Sequence, residues 1–192
     1  MTPRPLVLRA ADRVDVPWRN GAGMTSEIGV SPAAAADDFV WRLSVATVDS
    51  DTSFSTFSGV DRCLLALSPQ GLNLVDEGQL VELTAFESYR FPGENSVAST
   101  SVTRSTLDLN LMTRRALCTG TLESCSVAGT LCVETASGGC VVIVILAGTF
   151  AVGSEKLAIL DAVQFFPDST DTYSLTGSGQ IAIARVRALQ TI

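Results

Sequence analysis

Cys63-Leu64-Leu65-Ala66-Leu67, Gly71-Leu72-Asn73-Leu74, Leu80-Val81-Glu82-Leu83 and Tyr89-Arg90-Phe91-Pro92 follow one another as short apolar runs separated by turn residues. The same succession returns as Val142-Ile143-Val144-Ile145-Leu146, Gly148-Thr149-Phe150-Ala151-Val152, Leu157-Ala158-Ile159-Leu160 and Gln164-Phe165-Phe166-Pro167. Each copy reads strand, turn, strand, turn, strand and closes on an aromatic-proline pair. Short antiparallel strands leave unpaired edges, and folding each half into a small jelly-roll barrel covers most of them. The repeat therefore predicts an all-β chain of two antiparallel β-barrels packed side by side. The first covers about residues 1–115 and the second about 116–192, with strands open to exchange between the halves.

Outward from the repeat, runs of four to eight residues rich in Val, Ile, Leu and Thr continue to alternate with Gly, Ser, Asp and Pro clusters, and no helical stripe is sustained. Strands are expected at 5–9, 13–18, 24–30, 40–48, 62–68, 72–76, 79–84, 97–103 and 107–113. Further strands are expected at 121–127, 130–135, 140–147, 149–153, 157–160, 163–166 and 181–188. Residues 31–38, 49–58, 92–96 and 167–179 read as loops, with 33–36 at most a short helical turn.

The composition removes whole classes of function. A net charge of −7 gives no basic face for a phosphate backbone, so no nucleic acid partner is expected. The longest apolar run, 140–147, is too short for a membrane-spanning helix and the first residues lack a signal-peptide core, which predicts a cytoplasmic protein without a membrane partner. Five cysteines without a C-x-x-C pair suggest small buried hydrophobes rather than disulfides or a zinc knuckle. The absence of histidine removes Ser-His-Asp and Cys-His catalysis and imidazole-based metal sites, and no calcium loop motif is present. No metal and no cofactor are expected.

Polar chemistry concentrates in a few segments. Pro17-Trp18-Arg19-Asn20-Gly21-Ala22-Gly23-Met24-Thr25-Ser26-Glu27-Ile28 is the densest, with a turn signal at Asn20-Gly21 and, at Gly23, room for a second turn or a close approach. Period-two alternation in 107–115 puts Leu107, Leu109 and Leu111 on one strand face and Asp108, Asn110, Met112 and Arg114 on the other. A water-facing strand face is the plain alternative, but Asp and Asn are poor residues for one. In 41–47, Arg42, Ser44 and Ala46 share a face on which small residues leave room beside the arginine. Asp61-Arg62 opens the next strand as an ionised pair, for which a surface ion pair of little energetic weight is the alternative. Arginine is also the side chain that recognises a carboxylate with two parallel hydrogen bonds. Glu27, Asp61 and Asp108 are the carboxylates available for acid-base work in these segments.

Taken in order, P-W-R-N-G-A-G-M-T-S-E-I (17–28), W-R-L-S-V-A (41–46), F-S-T-F-S-G-V-D-R (54–62) and D-L-N-L-M-T-R-R (108–115) closely resemble the HutD/Ves family of cupin-like proteins over about Val16 to Arg115. The resemblance implies a bicupin of RmlC-like jelly rolls, associated with bacterial histidine utilisation, that binds a small pathway metabolite such as formylglutamate or urocanate. The chain departs from the family pattern at Ser26, where an arginine is usual, and at Ser58, where a proline is usual, and the first change removes a positive charge near the expected pocket. The leading expectation is a metal-independent carboxylate-binding protein, possible as a homodimer, with a regulatory part in histidine catabolism. Its pocket is expected to be lined by Trp18, Asn20, Thr25, Glu27, Arg42, Arg62, Asp108, Asn110 and Met112, none of them catalytic. Two alternatives are a metal-independent isomerase or hydrolase using Glu27 or Asp108 as general acid or base, and a stress-associated interaction protein without a small ligand.

Overall fold

Branched and aromatic residues at period-two spacing become strands in nearly every segment that carries the pattern. The computed structural model describes residues 5–18, 21–31, 38–135, 139–166 and 173–189, and these contain fifteen strands and one 3-10 turn, Ala10–Asp12. The chain divides into a unit spanning Val14–Gly120 and a second that joins Met1–Arg13 to Thr121–Ile192. Strand β1 (Leu6–Leu8) belongs to the second unit. The Val14–Gly120 unit holds β2 (Asp15–Pro17), β3 (Gly23–Ser31), β4 (Trp41–Val48), β5 (Val60–Ala66), β6 (Leu72–Asp76), β7 (Gln79–Leu83), β8 (Ser88–Pro92), β9 (Val97–Thr100) and β10 (Thr106–Arg114). Then follow β11 (Cys118–Val133), β12 (Gly139–Val152), β13 (Glu155–Leu157), β14 (Ala162–Phe165) and β15 (Tyr173–Ala188).

In the Val14–Gly120 unit a six-stranded sheet runs in the order β2-β3-β4-β10-β5-β8 and a three-stranded one in the order β7-β6-β9. Leu64, Ala66 and Phe91 of the large sheet pack with Leu72, Leu74, Leu83 and Val97 of the small one in a single apolar cluster. The face that carries Leu64 and Ala66 is therefore the inner face of the large sheet. The apolar cluster takes in β5 and β8 but no residue of β3, β4 or β10, so the inner face continues beyond its apolar part. Leu43, Leu65, Leu109 and Leu111 on the opposite face are at most 1% exposed, so the centre of this sheet is buried on both sides.

The second unit repeats the order of strand pairing that the internal repeat predicted, although the strand expected at 157–160 lies instead at Glu155–Leu157. Arg62 of β5 lies opposite Phe91 of β8, and Val141 of β12 lies opposite Phe165 of β14. Leu74 pairs with Val81 in the first copy, and Phe150 pairs with Leu157 in the second. The two opening segments of the later copy fuse into the single strand β12, with a register irregularity between Ile145 and Ala147 where the earlier copy breaks. The sheet order is β1-β14-β12-β15-β11, with β13 paired to β12. Its core of Val141, Ile143, Ile145, Phe150, Val163, Phe165, Leu175, Ile181 and Ile183 is almost entirely aliphatic and aromatic. Asp161 ties the N-terminal segment to this unit: its carboxylate accepts Ala10 N at 2.8 Å, Ala158 N at 3.0 Å and Arg9 Nη1 at 2.9 Å.

Several expectations change. Among the described residues all three sheets are open paths with edge strands, and no closed barrel is found. The expected strands 121–127 and 130–135 form one strand, β11. The loop expected at 167–179 is strand from Tyr173 onward, because Gly177 and Gly179 pass so close to the Thr149 and Ala147 carbonyls that a Cβ would overlap them. The short turn expected at 33–36 lies outside the described residues. Of the five cysteines only Cys118 is buried; Cys132 is exposed and the other three are half-buried. No helix among the described residues is long and apolar enough to cross a membrane.

Candidate functional site

Antiparallel register assembles the polar residues on the inner face row by row. Across β3, β4, β10 and β5, one row reads Thr25, Ala46, Asp108 and Ala66. The next reads Glu27, Ser44, Asn110 and Leu64, and beyond the irregularity between Glu27 and Gly29 a third reads Val30, Arg42, Met112 and Arg62. Residues opposite one another on neighbouring strands share a face, so seven sequence-derived candidates lie on one surface. Trp18 joins them by donating its Nε1–H to Thr25 Oγ1 at 2.7 Å. Asn20 lies outside the described residues. Gly23 lets this corner close, since a Cβ there would collide with the Thr47 carbonyl oxygen and stand 3.1 Å from the Trp18 ring.

The polar face of β10 is buried, not washed by water. Asp108 is 1% exposed, Asn110 8% and Arg62 6%. Buried polar groups are ordinarily satisfied. Here Asp108 Oδ1, Asn110 Oδ1 and the Nε atoms of Arg42 and Arg62 have no hydrogen-bond partner among the described residues. Burial pushes the Asp108 carboxyl up to about 7, against the pull of the Arg62 charge. Burial likewise draws the Arg62 guanidinium down to about 10, with Asp108 opposing the shift and Arg42 adding to it. Glu27 approaches Arg42 at 4.0 Å, and its side chain is half exposed. Two guanidinium groups thus face one surface whose most buried carboxyl is harder to ionise than an ordinary one.

Asp61 and Arg62 do not form the pair that their adjacency suggested. Successive strand residues point to opposite faces. Asp61 instead accepts Arg115 Nε at 2.7 Å and Arg90 Nη2 at 3.0 Å, and these arginines hold its carboxyl below the usual range. Arg62 turns inward, where the rings of Phe91, Phe54 and Phe57 lie 4.9, 5.5 and 5.8 Å from its Cζ. Met112 packs with Phe39 and Val60, so its role is to fill space between the two arginines. Ser26 lies opposite Val45, on the other face from Thr25 and Glu27, so serine at that position removes no charge from the inner face. Sequence reasoning missed Phe54 and Phe57. They stand in a segment read as loop, and their signal is that two aromatics three residues apart lead directly into a buried arginine.

A separate depression of about 450 Å³ in the second unit is lined by Cys132, Glu134, Cys140, Arg185 and Arg187 among others, and contains none of the candidates. Among the described residues no group of three or more Cys, Asp or Glu side chains is placed to hold a metal ion.

The chain is similar in sequence and in fold to known proteins. The HutD family model matches residues 10–183. A 21.2 kDa protein in the hutC 3' region of Pseudomonas putida is 36% identical over 107 residues, which cover 55% of this chain and only 56% of that relative's length. Protein Ves of Citrobacter koseri is 34% identical over 174 residues, covering 88% of this chain and 87% of Ves. The structure of HutD from Pseudomonas fluorescens SBW25 in a formate condition superimposes with a TM-score of 0.84 at 25% identity, covering 97% of this chain and all of that one. With the family match spanning both units and a relative above 30% identity over nearly its whole length, the chain belongs to the HutD/Ves family.

Proposed function

We propose that this HutD/Ves protein binds a small carboxylate metabolite at the inner face of the Val14–Gly120 sheet, without a metal, and that its two units are the jelly rolls of a bicupin. The observation that carries the reading is the set of buried atoms left without partners at Arg42, Arg62, Asp108 and Asn110, all projecting from one face. Leaving a buried donor or acceptor unsatisfied costs about 1–3 kcal/mol, so four at one place are difficult to account for as mere framework. Two guanidinium donors suit an anion, and the Asp108 and Asn110 oxygens suit hydrogen-bond donors on the same molecule. Formylglutamate and urocanate have both. The hutC-linked Pseudomonas putida relative supports a place in histidine catabolism, where a protein that binds an intermediate in the cytoplasm would serve regulation.

A second reading rests on Asp108: a carboxyl near 7 titrates where a general acid or base is most effective, so the same site would suit a metal-independent isomerase or hydrolase. A thermal-shift panel of histidine-pathway acids separates the two. A ligand at about 100 times its Kd adds about 2.7 kcal/mol of stability, a shift of several degrees in a chain of this length. The shift is expected in the native protein and lost in Arg62→Gln and Arg42→Gln. An unshifted panel refutes carboxylate binding, and turnover of a panel member that disappears in Asp108→Asn replaces it with the enzymatic reading.

A further inference from the structure

Arg62 is buried on the inner face, yet no ion pair to it is found among the described residues. A guanidinium in that position usually has a carboxylate held against it. Among the described residues its one hydrogen bond runs from Nη1 to the Ser55 carbonyl at a long 3.3 Å. What lies against it instead is three phenyl rings, Phe91, Phe54 and Phe57, with Cζ-to-centroid distances of 4.9, 5.5 and 5.8 Å, while Asp108 on the same face acts on it through its charge without pairing with it. Ring faces attract a cation through their quadrupole and leave its charge uncancelled. A carboxylate in the same place would hold Arg62 equally well but would neutralise it and compete with any incoming anion.

The three rings are not equivalent. Phe91 is fixed by the sheet, directly opposite Arg62. Phe57 packs with Phe39, Val60 and Met112. Phe54 is carried on the segment between β4 and β5 and tethered through its own backbone, with Phe54 N donating to the Val97 carbonyl at 2.8 Å and Ser53 bridging to Ala98. Its ring also meets Trp18 edge-on, at 6.1 Å and 79°. Phe54 is thus the ring that links Arg62 to Trp18, and through the Trp18 Nε1–H to Thr25.

We propose that Phe54 is a positioning residue of the carboxylate site: it clamps the Arg62 guanidinium by its ring face, so that Arg62 is oriented yet still fully charged toward an anion. The inference rests on the binding function proposed above, but the clamp is measurable without any ligand. The test compares the full-length protein with Phe54→Leu and Phe54→Tyr by the Arg62 Nε–Hε resonance, assigned by its loss in Arg62→Lys, and by titration with sodium formate and urocanate. In the native protein the resonance is expected to be protected from solvent exchange and displaced by ring currents. Phe54→Leu is expected to move it toward the position of a free arginine and to weaken carboxylate binding about tenfold, with secondary structure retained, whereas Phe54→Tyr restores both signals. An unmoved Arg62 resonance in Phe54→Leu overturns the clamp, as does equal loss of resonance in Leu and Tyr variants. If the native protein binds neither acid, the carboxylate function fails, while the resonance alone still decides whether Phe54 holds Arg62.

Discussion

Replacing Asp108 by asparagine should stabilise the protein, and increasingly so as pH rises. The carboxyl is held at about 7 in the fold and has an ordinary value of 3.8. At about 1.36 kcal/mol per pKa unit, its ionised form is disfavoured in the native state by roughly 4 kcal/mol. Below about pH 4 the group is protonated both folded and unfolded, and contributes no pH dependence. Between about pH 4 and 7 the unfolded chain releases the proton and the native one keeps it, so the unfolded state binds fewer protons and native stability falls with pH by about 1.36 kcal/mol per unit. Above about 7 both states are ionised and the loss levels off at its maximum. Asparagine has nearly the same shape and does not titrate, so it removes this slope. Urea unfolding of both proteins at pH 5, 6, 7 and 8 is the assay, and the stability difference in favour of Asp108→Asn is expected to widen by roughly 3 kcal/mol across the series. A difference that stays constant over that range, or narrows, refutes the assignment of a raised carboxyl to this position. Against a typical total stability of about 5–15 kcal/mol, a penalty of this size is large.

Asp161→Ala removes the acceptor for Arg9 Nη1 and for the Ala10 and Ala158 amides, and should cost about 2–3 kcal/mol at pH 7. Hydrogen bonds lower the Asp161 pKa, so this contribution is present above the ordinary value of 3.8 and lost as pH falls through the lower folded value. Urea unfolding at pH 7 and pH 3 should show a smaller deficit for the variant at the lower pH, and an equal deficit at both would argue against a lowered Asp161 carboxyl. Gly23→Ala forces a methyl against the Thr47 carbonyl and the Trp18 ring, and should cost about 1–3 kcal/mol and shift tryptophan emission. Unchanged stability and emission would mean that the Trp18 corner is looser than described.

The sheet that carries the site was legible because period-two spacing is local. Arg42, Asp108, Asn110 and Met112 could be placed on a face from their own neighbours in sequence, and the register of β4, β10 and β5 then set them side by side. Burial was not legible, because alternation is the same whether the second face of β10 meets solvent or packing; only the partners of the sheet decide it. The Asp61-Arg62 reading failed for a related reason, since adjacent residues in a strand separate across the sheet, and the true partners of Asp61, Arg90 and Arg115, come from β8 and from beyond β10. Phe54 and Phe57 carry no periodicity of their own, and their relation to Arg62 exists only once the segment before β5 lies along the small sheet. Gly177 and Gly179 mark a close crossing of strands and not a break, a distinction that depends on Thr149 and Ala147 in the earlier strand β12.

The pairing of β1 with β14 sets an order of events during synthesis. Arg9 and Asp161 are 152 residues apart, and Leu6 of β1 lies opposite Gln164. On a translating ribosome the segment 14–120 emerges with every strand of its two sheets already present, so it can complete its pairing while the N-terminal strand has no partner. That strand must wait, unpaired, until β14 leaves the exit tunnel, and during the wait its backbone groups are available to another nascent chain. Fusing a bulky partner just before Leu6 should therefore delay completion of the second unit while leaving the polar inner face of the first one formed.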